Sequence, residues 1–184
     1  MPLKTPICDF GQAAKSFELK STNNEIIKLN DIKGTNGTLV MFICNHCPYV
    51  KAVIKDIVED CKNLEKLGVK AVAICSNDTI NYPEDSFENM IEIAKKHQFS
   101  FPYLFDETQN VAKSYDAVCT PDFFGYNNNL ELQYRGRIRE LDNLKPVRAG
   151  DSDLYSAMKQ IAETGKGPET QIPSAGCAIK WLDN

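Results

Sequence analysis

The chain has 184 residues, 42% of them apolar and 25% charged, the size and composition of one globular domain able to bury its own core. Its net charge of -4, with lysines and arginines dispersed among acids, leaves no basic stripe for a nucleic-acid partner. The opening MPLKTPICDFGQ is broken by prolines and an acid where a signal peptide needs an apolar stretch, and the longest apolar run, Leu39 to Cys44, is too short to cross a bilayer; a soluble, cytoplasmic protein away from membranes is the expectation.

Phe17 to Leu19 and Ile26 to Leu29 flank the turn-rich STNNE and read as an N-terminal hairpin, followed by a short polar segment closed by Gly34. TLVMFI, residues 38–43, has the continuous apolar character of a strand buried on both faces and is the expected central strand. Between Tyr49 and Leu67 the apolar residues Val50, Val53, Ile54, Ile57, Val58, Cys61 and Leu64 follow the three-and-four spacing of a helix packed on one face, stopped by Gly68. VKAVAI, residues 69–74, reads as a second buried strand. A strand, helix and strand of these lengths make a crossover unit, so the two strands are expected to be parallel, in a sheet covered by helices.

Pro83 is expected to open a second helix with Phe87, Met90, Ile91 and Ala94 inward; FPYLF is extended, and ETQNVAKSY gives a short third helix. DFFGYNNNLELQYRG reads as two strands around an Asn-rich turn, completing the sheet as an antiparallel pair. Asp151 is expected to cap a last helix over residues 152–163, and the remainder reads as a Gly- and Pro-broken tail. The fold class is therefore α/β, with one domain over residues 1–164 and a tail, 165–184, packing on it.

Seven cysteines, an odd number with no export signal, argue against a secreted disulfide framework, and a C-x-x-C pair in a reducing compartment is more often catalytic or metal-binding than structural. The pair lies in FICNHCPYVKA. If the strand ends near Ile43 and Pro48 is the first helical residue, Cys47 is the N-cap, where unpaired N–H groups and the helix dipole lower a cysteine pKa from ~8.5 to between ~3.5 and 7.5. Cys47 would then be nucleophilic, with Cys44 near enough to form an internal disulfide and a cationic His46 favouring the thiolate further. The competing reading is a metal site of Cys44, His46 and Cys47, but one C-x-x-C supplies two ligands where tetrahedral zinc takes four, and no second pair follows. VCTPDFF places Thr120-Pro121 directly before a strand, which suits a tight, cis entry into the sheet as well as an ordinary loop proline.

CNHCPYVK, SNDTINYPEDSF, FPYLFDETQ, VCTPDFF, YRGR and GCAIKW are together similar to the thioredoxin-like superfamily, over roughly Phe17 to Gln160. More closely, the chain resembles the redoxin branch, with its peroxiredoxins and peroxiredoxin-like, AhpC/TSA-related thioredoxins. The resemblance implies a thioredoxin-like fold, with a central mixed sheet between helices, a reactive cysteine at a helix N-terminus and a facing cis-proline. It implies Cys47 and Cys44 as the redox pair, Thr120 and Pro121 as substrate-binding residues, no organic cofactor or metal, protein or small-molecule disulfides or peroxides as substrates, and a thiol reductant. Counting from the strand aligns Cys47 with the thioredoxin nucleophile and with the peroxidatic cysteine of peroxiredoxins. The threonine that peroxiredoxins carry three residues earlier is Cys44 here, and Thr120 stands in place of their arginine. The first expectation is therefore a thiol–disulfide oxidoreductase. The alternatives are a thiol peroxidase in which Cys47 becomes a sulfenic acid and Cys44 condenses with it, and a metal-binding protein resembling Sco-type copper carriers, with His97 as the distant ligand.

Cys61 and Cys75 read as packing residues and Cys8 as inert, whereas Cys119 and Cys177 are accessory candidates for exchange with the Cys44–Cys47 disulfide, by analogy with resolving cysteines. Arg135, Arg137 and Arg139 read as the exposed face of a strand and His97 as a complement to its helix dipole.

Overall fold

The structure is a computed structural model describing residues 1–183. After β1 (Leu3–Lys4), the hairpin of β2 (Glu18–Ser21) and β3 (Ile26–Lys28) forms as the sequence leads one to expect, its turn holding Asn24 at φ +67, a conformation that asparagine tolerates. All six residues of β4 (Gly37–Phe42) are buried, because alternate side chains enter two different cores. Leu39 and Met41 pack beneath α1 (Pro48–Glu65), while Val40 and Phe42 join Phe124 and Tyr115 on the opposite face. The apolar stripe of α1 is buried from Val50 to Leu64, and Gly68, at φ +78, turns the chain into β5 (Val69–Cys75).

β5 runs parallel to β4 from Gly37↔Val69 to Phe42↔Ile74. It is followed by α2 (Phe87–Lys96), β6 (Tyr103–Phe105), α3 (Asn110–Ser114), β7 (Cys119–Thr120), β8 (Asp122–Tyr126) and β9 (Leu132–Tyr134). After a small hairpin of β10 (Leu141–Asp142) and β11 (Lys145–Pro146), α4 (Asp153–Thr164) packs beside α1, and β12 (Ala175–Ala178) ends the ordered pattern. The main sheet has seven strands in the order β3-β2-β6-β5-β4-β8-β9, so β4 lies inside it between a parallel and an antiparallel neighbour. A mixed sheet between helices, with an N-terminal hairpin, is the predicted thioredoxin-like α/β class. Among the described residues no helix is long and apolar enough to cross a membrane.

Four local expectations need correction. Pro83 opens a separate 3-10 turn, Pro83–Asp85, and α2 begins only at Phe87, where the Ser86 hydroxyl accepts from Asn89 N–H. Ser152, not Asp151, caps α4 by accepting from Tyr155 N–H at 2.9 Å. The tail is not wholly irregular: β12 pairs antiparallel with β1 on one side and β7 on the other. The three arginines are not a free face. Arg135 is buried and donates through Nε and Nη2 to the buried Asp122 carboxylate, at 3.2 and 2.9 Å, with its guanidinium 4.4 Å from the Phe124 ring centre. Arg137 pairs with Asp153 at 2.7 Å and Arg139 with Asp56 at 3.2 Å.

Candidate active site

The site forms where β4 meets α1. Cys47 is the N-cap, with extended backbone at φ -64 and ψ 124, and Pro48 is the first helical residue, which spares the helix one unpaired N–H. Both sulfurs are buried: Cys44 is 3% exposed and Cys47 fully covered. The peptide bond between Thr120 and Pro121 is cis and faces the pair. With Cys47 protonated, its S–H donates to the Thr120 carbonyl at 3.3 Å, while the Thr120 hydroxyl lies 3.5 Å from Cys44 Sγ. The structure thus brings Cys44, Cys47, Thr120 and Pro121 together, and all seven cysteines are free thiols.

The two thiols are electrostatically unequal. Hydrogen bonding from Cys44 brings the Cys47 pKa down to about 4; burial opposes this, and the Thr120 and Cys177 side chains assist. Cys44 moves the opposite way, held protonated by its bond to Cys47 first, then by burial and the Asp85 charge. One proton shared between close sulfurs stabilises a thiolate on the helix cap and a thiol beneath it. Cys61 and Cys75 are buried with their thiols pushed up by desolvation, and Cys8 is raised to about 11 by the same cause; none of the three adjoins Cys47.

His46 and Asn45 are held by a residue that no sequence pattern singled out. Asp85, fully buried, accepts Asn45 N–H at 2.8 Å, His46 N–H at 3.3 Å and Asn77 Nδ2 at 2.8 Å, and its Oδ2 lies 2.6 Å from His46 Nδ1. Tyr103 donates to Asn45 Oδ1 at 2.8 Å, and the His46 ring stacks on Tyr82 with centroids 5.8 Å apart. The segment YPEDSF was visible as a motif, but a partner 40 residues away in sequence leaves no periodic signal. This network fixes the loop between the two cysteines, and hence the sulfur separation.

Cys44, His46 and Asp85 bring three metal-ligating atoms within 4.8 Å of one another, a different trio from the Cys44, His46 and Cys47 of the competing metal reading. The carboxylate is already committed to four nitrogen atoms, which an ion there would have to replace. His97, at the C-terminal end of α2, lines with Cys44 a cavity of about 290 Å³ whose other walls include Val50, Ile54, Lys51 and Lys96. Cys119 is fully buried and its Sγ lies 3.7 Å from the Pro121 carbonyl, whereas Cys177 is partly exposed and is in register with Thr120 on β12. A cleft of about 890 Å³ lies away from the thiols and is lined by residues including Asp56, Asp60 and Arg139.

A mixed sheet, a helix capped by one cysteine of a buried pair and a cis-proline facing it define a thioredoxin-like protein of the redoxin branch. Residues 10–141 match the AhpC/TSA family, and the chain belongs to it. Family members act on disulfides or peroxides with the help of a reductant. The fold is similar to that of an uncharacterized conserved protein from Geobacillus kaustophilus, 39% identical, with a TM-score of 0.94 and coverage of 100% of this chain and 98% of that one. A hypothetical protein from Sinorhizobium meliloti 1021 is 33% identical, with a TM-score of 0.91 and both chains covered in full. The thioredoxin domain of a thiol-disulfide oxidoreductase from Bacteroides vulgatus shares the fold at 15% identity, with a TM-score of 0.58 over 68% of this chain and 86% of that one. Among curated proteins no sequence match is found.

Proposed function

We propose that the protein is a cytoplasmic thiol–disulfide oxidoreductase in which Cys47 attacks and Cys44 resolves. The observation that carries this reading is the placement of two buried thiols at the start of α1, Cys47 on the helix cap and Cys44 before it, both against the cis Thr120–Pro121 segment, an arrangement that favours a thiolate at Cys47 with Cys44 as its proton donor. The Cys47 thiolate attacks one sulfur of R–S–S–R′, and R′–S⁻ departs and takes up a proton. Capping Cys47 removes its charge, and with it the interaction that most strongly retains the Cys44 proton. Cys44 then deprotonates, attacks the Cys47 sulfur and expels R–S⁻, so two electrons pass to the substrate and a Cys44–Cys47 disulfide remains. An external thiol reductant reverses the sequence. Thr120 orients both sulfurs through its hydroxyl and carbonyl, and with Pro121 it forms the wall against which a substrate sulfur is placed.

Membership of the AhpC/TSA family favours a second reading, a thiol peroxidase. There the Cys47 thiolate attacks one peroxide oxygen, the O–O bond breaks and the other oxygen leaves as hydroxide that takes up a proton; the resulting sulfenic acid condenses with the Cys44 thiol to give the disulfide and water. Against it, the buried Arg135 is engaged by Asp122 and the Asp116 carbonyl instead of polarising a peroxide at Cys47. The test compares the rates at which reduced protein reacts with hydrogen peroxide and with a model protein disulfide. Rapid disulfide reduction and slow peroxide consumption, both lost in Cys47→Ser, are expected; the reverse order of rates would install the peroxidase in its place.

A further inference from the structure

The Cys44–Cys47 couple is walled off. Cys47 is fully covered and Cys44 nearly so, and part of the cover is β12, which lies antiparallel on β7 with Cys177 opposite Thr120 and Ala178 opposite Cys119. The Thr120 hydroxyl lies 3.5 Å from Cys44 Sγ, and side chains directly opposite one another in an antiparallel pair share a face, so the residue opposite Thr120 on β12 points to the side of the cysteine pair. Cys177 is that residue. Its side chain packs against the core that holds Cys44 and Cys47, where it favours the Cys47 thiolate, yet, unlike those two thiols, it is only partly buried.

The contact is a standing one. β12 is also paired with β1, Ser174 donates to the Pro121 carbonyl at 2.7 Å, and Lys180 N–H donates to Asn77 Oδ1 at 3.0 Å. Gly176 makes the approach sterically feasible, since a Cβ there would lie 1.9 Å from the Thr120 carbonyl oxygen.

We propose that Cys177 is a third redox-active thiol, a relay that carries oxidising equivalents between the buried Cys44–Cys47 couple and external thiols through a Cys47–Cys177 disulfide. This rests on the Cys44–Cys47 couple of the oxidoreductase reading above and revises its first step: because Cys47 is fully covered, the partly exposed Cys177 meets the external sulfur and then exchanges with Cys47. In the oxidised protein the Cys177 thiolate attacks the Cys47 sulfur of the Cys44–Cys47 bond, and Cys44 leaves and takes up a proton. An external R–S⁻ then attacks the partly exposed Cys177 sulfur and expels Cys47, the better leaving group because its thiolate is stabilised on the helix cap. A second R–S⁻ displaces Cys177 from the mixed disulfide. The sum is one protein disulfide and two R–SH giving two protein thiols and R–S–S–R. By microscopic reversibility the same sulfurs serve oxidation of the reduced protein.

The test exposes reduced full-length protein to oxidised glutathione and follows disulfides by peptide mapping over time. Wild type should accumulate Cys44–Cys47, Cys44→Ser should accumulate Cys47–Cys177, and Cys177→Ser should form Cys44–Cys47 at least tenfold more slowly than wild type. Gly176→Ala, which forces β12 away from Thr120, should retard oxidation similarly while leaving all three thiols in place. Wild-type rates in Cys177→Ser, or a Cys44→Ser protein that stalls with glutathione on Cys47, would overturn the relay and leave the Cys44–Cys47 couple standing. Failure of wild type to form Cys44–Cys47 at all would remove the couple itself, and the relay with it.

Discussion

Replacing Cys44 by alanine removes the hydrogen bond that contributes most to the low pKa of Cys47. A hydrogen bond to a charged partner contributes ~1.5–3 kcal/mol, and one pKa unit corresponds to ~1.4 kcal/mol. The Cys47 pKa should therefore rise by about one to two units from its value of about 4, with Thr120 and Cys177 still in place to hold it below an ordinary thiol. Cys44→Ser supplies an O–H donor at the same point and should restore most of the loss. Thiolate ultraviolet absorbance, titrated from pH 3 to 9 in reduced protein, reads the midpoint directly. Its sign is set by the depressed pKa: the thiolate signal persists as pH falls and disappears only on passing the folded-state value. Coincident midpoints in wild type, Cys44→Ala and Cys44→Ser would refute the assignment of Cys44 as proton donor to Cys47.

Asp60 has its carboxyl pKa raised to about 6 by burial in α1, partly offset by the Ser152 hydroxyl, which donates to it at 2.5 Å. A folded-state value above the unfolded one favours the neutral acid, so stability falls as pH rises from about 4 to 6; Asp60→Asn should gain about 3 kcal/mol at pH 7 and little at pH 4 in urea unfolding. An Asp60→Asn gain independent of pH would contradict this. Arg135→Met strands the buried Asp122 carboxylate and should cost ~3–5 kcal/mol, while Arg135→Met/Asp122→Leu should recover much of it; equal losses in the single and double variants would show that the charge is not the cause. Asp85→Ala leaves Asn45 and His46 N–H and Asn77 Nδ2 without their acceptor and should cost at least ~3 kcal/mol while slowing closure of the Cys44–Cys47 disulfide; unchanged closure kinetics would mean that the network does not position the cysteines.

The sequence conveyed most where one local rule determined the outcome. The stripe from Val50 to Leu64 marked α1, the apolar run that follows Thr38 marked a strand buried on both faces, and Pro48 after Cys47 located the helix start. Cys177 was visible as an accessory candidate, but its approach to Cys47 depends on strand pairing in a tail whose Gly, Pro and Ser carry no strand periodicity. Asp85 was hidden because its worth lies in four donors distant or irregular in sequence. The alternation of Arg135, Arg137 and Arg139 looked like a solvated strand face because a short irregular segment and a period-two strand look alike over five residues. Their acidic partners, Asp122, Asp153 and Asp56, come from three separate elements, so only the folded chain brings them together.

The central claim is that Cys44 and Cys47 form a reversible two-electron couple. Its most direct test is equilibration of the wild-type chain in glutathione buffers of graded redox potential, with the state of every cysteine read by differential alkylation and peptide mapping. The account predicts a single transition in which Cys44 and Cys47 are lost as thiols together, while Cys61 and Cys75 remain reduced throughout. Cys44 and Cys47 staying thiols across the whole series, or titrating independently of each other, would contradict it.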